Sequence, residues 1–170
     1  MSDLPLKTSS RRKPEDERES ATELCTLLLR EYQKLPKEKK LTSSYRRQFL
    51  KLIDSTLWMF SEASGKVHGC RYWTPGAMAA YQKHGRVVRK KDNPSEMLQH
   101  EHLTPKRIVI SYLLKLENPT VEAVRRILDM YNVGVVVTKA EHVRLDNLMY
   151  DDPWDRYRRA GLEWVDLQQP

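Results

Sequence analysis

The chain offers a single convincing strand. Val133-Gly134-Val135-Val136-Val137 is brief and β-branched, the composition of a buried strand. Nearly every other apolar stretch repeats at spacings of three and four. One strand among helical segments predicts an α+β fold that is mainly helical, with a small β element. Leu24, Leu27, Leu28, Tyr32 and Leu35 mark a first helix, which Pro36 and the Lys-rich KEKK end. Tyr45, Phe49, Leu52, Ile53, Leu57 and Phe60 mark a second, up to the breaker Ser64-Gly65. Residues 21–64 therefore read as a helical hairpin on a short basic linker. The linker PKEKKLTS is too long for a DNA-reading helix-turn-helix, so packing is the favoured role.

Further along, turn chemistry punctuates the pattern. Thr74-Pro75 can open a short helix over 76–81, and Gly85-Arg86-Val87-Val88 is a candidate short strand. Thr104-Pro105 caps a helix whose face is Ile108, Val109, Tyr112, Leu113 and Leu116. Asn118-Pro119-Thr120 breaks that helix and caps another, with Val121, Val124, Ile127, Leu128 and Tyr131 on its apolar face. Thr138 with Glu141 three residues on forms a capping box for the helix after the strand. Pro153 begins a last element carrying Trp154 and Tyr157. Residues 1–20 are polar and mixed in charge, which predicts a flexible arm. The expected organisation is thus an arm (1–20), the hairpin (21–64), a central region (65–150) around the His cluster, and a C-terminal segment (151–170) packed on the domain.

Charge narrows the partners. The 170 residues carry 30 Lys and Arg against 23 Asp and Glu, a net +7, and residues 21–100 alone hold +8. A basic half beside a near-neutral half suits a phosphate backbone, because each neutralised phosphate releases a counterion. Arg46, Arg47, Arg86, Arg89, Lys90 and Lys91 are the candidate DNA contacts, and DNA is the expected partner. A solvated basic face that keeps the protein soluble is the alternative. Two cysteines, Cys25 and Cys70, exclude a disulfide framework and a four-thiolate zinc site. No stretch approaches the ~18 apolar residues of a spanning helix, and the N-terminus lacks a signal pattern. The expectation is a cytoplasmic protein with no membrane partner.

The densest cluster of ligand-type side chains is His100-Glu101-His102, placed just before Leu103-Thr104-Pro105. Asn132 immediately precedes the strand, and His142 lies in the first turn of the helix that follows it. In this order, Glu-His-x-x-Pro, then Asn, then His at a helix start, the sequence resembles the HNH, or ββα-metal, endonuclease superfamily over about residues 100–145. The resemblance implies a small ββα-like element and a metal-dependent DNA endonuclease. By it, His102 is the general base and Asn132 fixes its orientation. Glu101 (or His100) and His142 hold one divalent cation, Mg, Mn, Ni or Zn.

Those residue types suit the chemistry. Phosphodiester hydrolysis needs a base that titrates near neutrality, which His provides, and a cation to stabilise charge on the phosphate. Carboxylate and imidazole donors leave open positions for water and phosphate. Each residue also has a plainer role. His142 can be a surface residue, Glu141 only the capping carboxylate, Asn132 a helix C-cap, and His100 with His102 a structural pair on one strand face. In Trp154-Asp155-Arg156-Tyr157-Arg158-Arg159 the aromatics are expected to tie the C-terminus down while the arginines face water. Cys25, set among leucines, should be inert. The second function class is accordingly a non-catalytic basic module that binds DNA or protein, with structural histidines.

Overall fold

The computed structural model describes residues 13–167. In chain order its elements are α1 (Pro14–Lys34), α2 (Lys37–Leu41), α3 (Ser43–Ser61), β1 (Tyr72–Trp73), α4 (Pro75–His84), β2 (Leu98–His102), α5 (Lys106–Leu114), α6 (Val121–Tyr131), β3 (Gly134–Thr138), α7 (Lys139–His142), α8 (Asp155–Arg159) and β4 (Val165–Asp166). The fold is α+β and mainly helical, as the periodicity predicts. The described chain divides into two compact units: residues 13–63 with 106–133, and residues 64–105 with 134–167.

The first unit is helical. Its α1 begins at Pro14, so residues 14–20 are helix rather than flexible arm, and residues 1–12 lie outside the described residues. Proline at the first helical position costs no hydrogen bond, and Glu15, Asp16 and Glu17 complement the positive end of the helix dipole. Tertiary contacts hold this turn as well: Glu15 pairs with Arg125 at 2.7 Å, and the Arg18 guanidinium lies 5.8 Å from the Phe60 ring centre. Mixed charge, which suggested disorder, is here a set of partners. Ala21, Cys25 and Leu29 of α1 meet Ile53, Leu57 and Phe60 of α3, with Val109, Leu113, Val124 and Leu128 completing the core. Each large apolar side chain so buried contributes roughly 1.5–3 kcal/mol. The central region expected over 65–150 is therefore divided, because α5 and α6 belong to the hairpin's core. Leu24, Leu27, Tyr45 and Leu52, read as packed positions, are exposed instead. The small side chains Ala21 and Cys25 let α1 pack along a neighbouring line.

The second unit is built on a four-stranded sheet of order β2-β3-β1-β4. Strand β3 is antiparallel to β2 and parallel to β1, and β4 is antiparallel to β1. Val135, Val136 and Val137 are fully buried, so both faces of β3 are covered, which explains their unbroken apolar run. Thr74 caps α4 by accepting from Ala77 N–H, and Gly85 ends it at φ +63°, a left-handed conformation that glycine adopts freely. The candidate strand at 85–88 is thus a helix stop and a loop. Trp73, Ala77, Ala80, Val88, Leu98, Cys70 and Val136 form this unit's core.

Candidate functional site

Strand β2 sets the cluster's geometry. It runs antiparallel to β3 with His100 opposite Val136, Glu101 opposite Val135 and His102 opposite Gly134. Side chains alternate along a strand, so His100 and His102 share one face and Glu101 takes the other. The two imidazole rings stand 5.3 Å apart between centres, and His102 is buried. His100 Nδ1 lies 3.5 Å from Cys70 Sγ, while the Cys70 thiol donates to the Lys66 carbonyl at 2.9 Å. Gly134 permits this crowding: a Cβ there would come 2.6 Å from His100 Nε2 and 3.1 Å from Cys70 Sγ. Strand alternation therefore turns His100 and His102 alike to the face away from Glu101, which takes His100 out of the ligand set expected with His142.

On the opposite face Glu101 has two partners. His142 Nδ1 approaches Glu101 Oε2 to 2.7 Å, and Arg156 Nη1 donates to Glu101 Oε1 at 3.0 Å. The helix carrying His142 follows β3 directly. Thr138 caps it, accepting from Glu141 N–H, and Glu141 in return accepts from Thr138 N–H, which fixes where the first turn points. Glu141 also accepts from the Thr74 hydroxyl at 2.7 Å, so its capping role accounts for it. β2 and β3 pair antiparallel and α7 follows β3 directly, while helices α5 and α6 stand between the two strands in sequence.

Arg156 is the site residue that the sequence did not reveal. It was expected to face water, yet it is only 3% exposed. Its Nη1 donates also to the His102 carbonyl at 2.8 Å, and its Nε to the Asp146 carbonyl at 2.6 Å. One guanidinium thereby fixes two neighbouring residues of the His cluster. Helix α8 is anchored by its aromatics, with Trp154 stacked on Trp164 at 4.0 Å and set edge-on to Tyr72 at 5.0 Å. Tyr157, fully buried beside it, has its hydroxyl pushed well above the usual range by burial and then by the charge of Glu101. The WDRYRR stretch held a signal, since an arginine between aromatics on a short helix is a candidate for burial. Arg158 and Arg159 are exposed, as expected.

Asn132 goes elsewhere. It closes α6 at φ −97°, and its side-chain amide donates to the Leu57 carbonyl at 2.8 Å inside the helical unit. The C-cap role thus describes it, without a left-handed backbone. Among the basic candidates Arg46, Arg47, Arg89, Lys90 and Lys91 are exposed. Arg86 is already paired, donating through both Nη atoms to Asp92 at 3.0 and 2.8 Å.

As to a metal, a carboxylate and an imidazole that meet at 2.7 Å are a pair of donors, and a third is wanting. Among the described residues no group of three or more His, Cys, Asp or Glu side chains is arranged to hold an ion. Two protein donors fit an ion that keeps most of its shell as water and phosphate, as Mg²⁺ does; they do not fit catalytic Zn²⁺, which takes three. Among the described residues no helix is long and apolar enough to cross a membrane. The chain matches no family model, no curated protein and no solved structure.

Proposed function

We propose that this chain is a metal-dependent endonuclease that hydrolyses DNA phosphodiester bonds. The observation that carries this reading is the 2.7 Å approach of His142 to Glu101, the residue next in sequence to His102, near the end of an antiparallel strand pair that runs straight into a helix. Glu101 and His142 would hold one divalent ion, of the Mg or Mn kind, which supplies charge stabilisation to the phosphate and leaving oxygen when bound. His102, whose ring stands on the other face of β2 from Glu101, is the proposed base, and it would accept the proton of the attacking water once the strand end turns that ring toward the ion. Because His102 is 5% exposed, that water reaches the ring through local movement at the strand end. Arg156 orients the carboxylate and holds the His102 backbone. Arg46, Arg47, Arg89, Lys90 and Lys91 bind the DNA backbone without reading sequence.

The test is incubation of supercoiled plasmid with the protein over Mg²⁺, Mn²⁺, Ni²⁺, Zn²⁺ and EDTA. Nicking that requires a metal and stops in EDTA is expected. Absence of nicking with every metal contradicts the proposal.

The burial of Arg156 against Glu101 favours a second reading, a non-catalytic basic module whose Glu101, Arg156 and His142 form a structural ion triad. Under it, DNA binding falls steeply with salt and with charge reversal at Arg46 and Arg47, while Glu101→Gln lowers only stability.

A further inference from the structure

We propose that the first turn of α4 positions His142 on Glu101, with Thr74 and Gly76 as the positioning residues. Helix α7 has four residues, a single turn too short to set its own direction. Its start is tied to the chain before β2: Lys139 N–H donates to the Met97 carbonyl at 2.8 Å, and Ala140 N–H to the Ser95 carbonyl at 3.0 Å. The next residue, Glu141, reaches across to α4. Its Oε2 accepts from Thr138 N–H at 2.8 Å, from the Thr138 hydroxyl at 2.9 Å and from the Thr74 hydroxyl at 2.7 Å. Thr74 is itself fixed. It is fully buried, its N–H donates to the Val136 carbonyl at 3.0 Å, and its oxygen caps α4 by accepting from Ala77 N–H at 3.2 Å.

The fit at Gly76 is close. A Cβ there would come 2.4 Å from Glu141 Oε1 and 2.9 Å from its Cδ. The Gly76 backbone is not left-handed, so its conformation does not call for glycine, and glycine is a poor helix former. The approach of Glu141 is what calls for it. Helix α4 has no acidic residue in its own first turn, and the Glu141 carboxylate stands in for one at the positive end of the helix dipole. Glu141 is thus held from both helices, and His142, next in sequence, is held with it, its Nδ1 2.7 Å from Glu101 Oε2. Donors to an ion must be placed to within about 0.5 Å, so displacing Glu141 costs affinity although Glu141 is not itself a donor. That the positioned pair serves an ion rests on the endonuclease reading; that Thr74 and Gly76 position it does not.

The experiment compares variants of the full chain. Gly76→Ala drives a methyl group into the Glu141 carboxylate, and Thr74→Val removes its hydroxyl partner, whereas Thr74→Ser keeps that hydroxyl. Gly85→Ala strains the other end of α4, where φ is +63° and a Cβ meets nothing within 4 Å, so it weakens the same helix without reaching Glu141. Circular dichroism checks folding, and Thr74→Val carries the test if Gly76→Ala does not fold. The first readout is NMR of the metal-free protein at fixed pH: the shift of the His142 ring signals on adding Glu101→Gln. Gly76→Ala and Thr74→Val should largely abolish that shift, while Thr74→Ser and Gly85→Ala should leave it at the wild-type size. The second is calorimetric titration with Mn²⁺, in which the first two variants should bind roughly tenfold or more weakly and the other two as wild type does. A His142 response unchanged in Gly76→Ala and Thr74→Val overturns the proposal, and so does an equal loss in Gly85→Ala, the mark of a merely structural role. A wild type that binds no Mn²⁺, with the His142 response still lost in the first two variants, supports the positioning and contradicts the endonuclease reading alone.

Discussion

Glu101 at the end of β2 meets His142 in the first turn of α7 at 2.7 Å, although 40 positions separate them in sequence. The contact exists because β2 pairs with β3 in register, and because a capping box starts α7 at once after β3. The carboxylate's second oxygen is held by Arg156 at 3.0 Å. Every chemical expectation for this site depends on that arrangement.

Arg156 is the first lever. Arg156→Met removes one partner of a buried ion pair and two hydrogen bonds to backbone carbonyls, and leaves the Glu101 charge with His142 alone. A loss of about 3–5 kcal/mol in urea unfolding is expected. A loss below about 1 kcal/mol would show that the guanidinium is not what holds the site together.

Gly134 tests the packing of the other face. The side chain introduced by Gly134→Ala would stand 2.6 Å from His100 Nε2 and 3.1 Å from Cys70 Sγ, so strand or ring must shift. Overpacking of this kind costs about 1–3 kcal/mol. Thermal unfolding should show the drop, and it should shrink when His100→Ala is added to make room. Equal loss in both backgrounds would refute the steric account.

The loop after α4 gives a prediction in pH. Asp92 accepts both Nη donors of Arg86 and the Arg89 N–H, and its carboxyl is lowered to about 2, chiefly by the Arg86 hydrogen bonds. A depressed carboxyl contributes to stability above its unfolded pKa and loses that contribution as pH falls toward about 2. Carbon-detected NMR of the Asp92 carboxyl should titrate near about 2 in wild type and move up in Arg86→Ala. An unmoved midpoint would mean that Arg86 is not its partner.

Much of this fold is legible in the sequence, for identifiable reasons. The β3 run, the Thr74 and Thr120 caps and the Thr138–Glu141 box all use local chemistry that needs no distant partner. Cys25 reads as inert, and burial pushes its thiol up to about 11. Strands β1 and β4 are two residues each, too short to display alternation, and exist only because neighbours pair with them. The start of α1 was hidden because its charges are satisfied by Arg125 and Phe60, residues remote in sequence. Arg156 was hidden for the same reason, since its acceptors lie on β2 and near Asp146. At the candidate site, the contact of Glu101 with His142 rests on strand register and a local capping box, whereas the turning of His100 and His102 alike away from Glu101 and the bond of the Asn132 amide to the Leu57 carbonyl depend on tertiary pairing that order and spacing do not display.

The most direct test of the endonuclease reading compares two substitutions at one site. Single-turnover cleavage of supercoiled DNA is measured for His102→Ala and His142→Ala, beside calorimetric titration with Mn²⁺. If His102 is the base and His142 a ligand, His102→Ala abolishes cleavage while ion binding persists. His142→Ala weakens ion binding itself, roughly 10–100-fold or more, as loss of even an outer partner of a ligand does. Cleavage that survives in His102→Ala, or titrations that are the same for wild type and His142→Ala, would contradict the account.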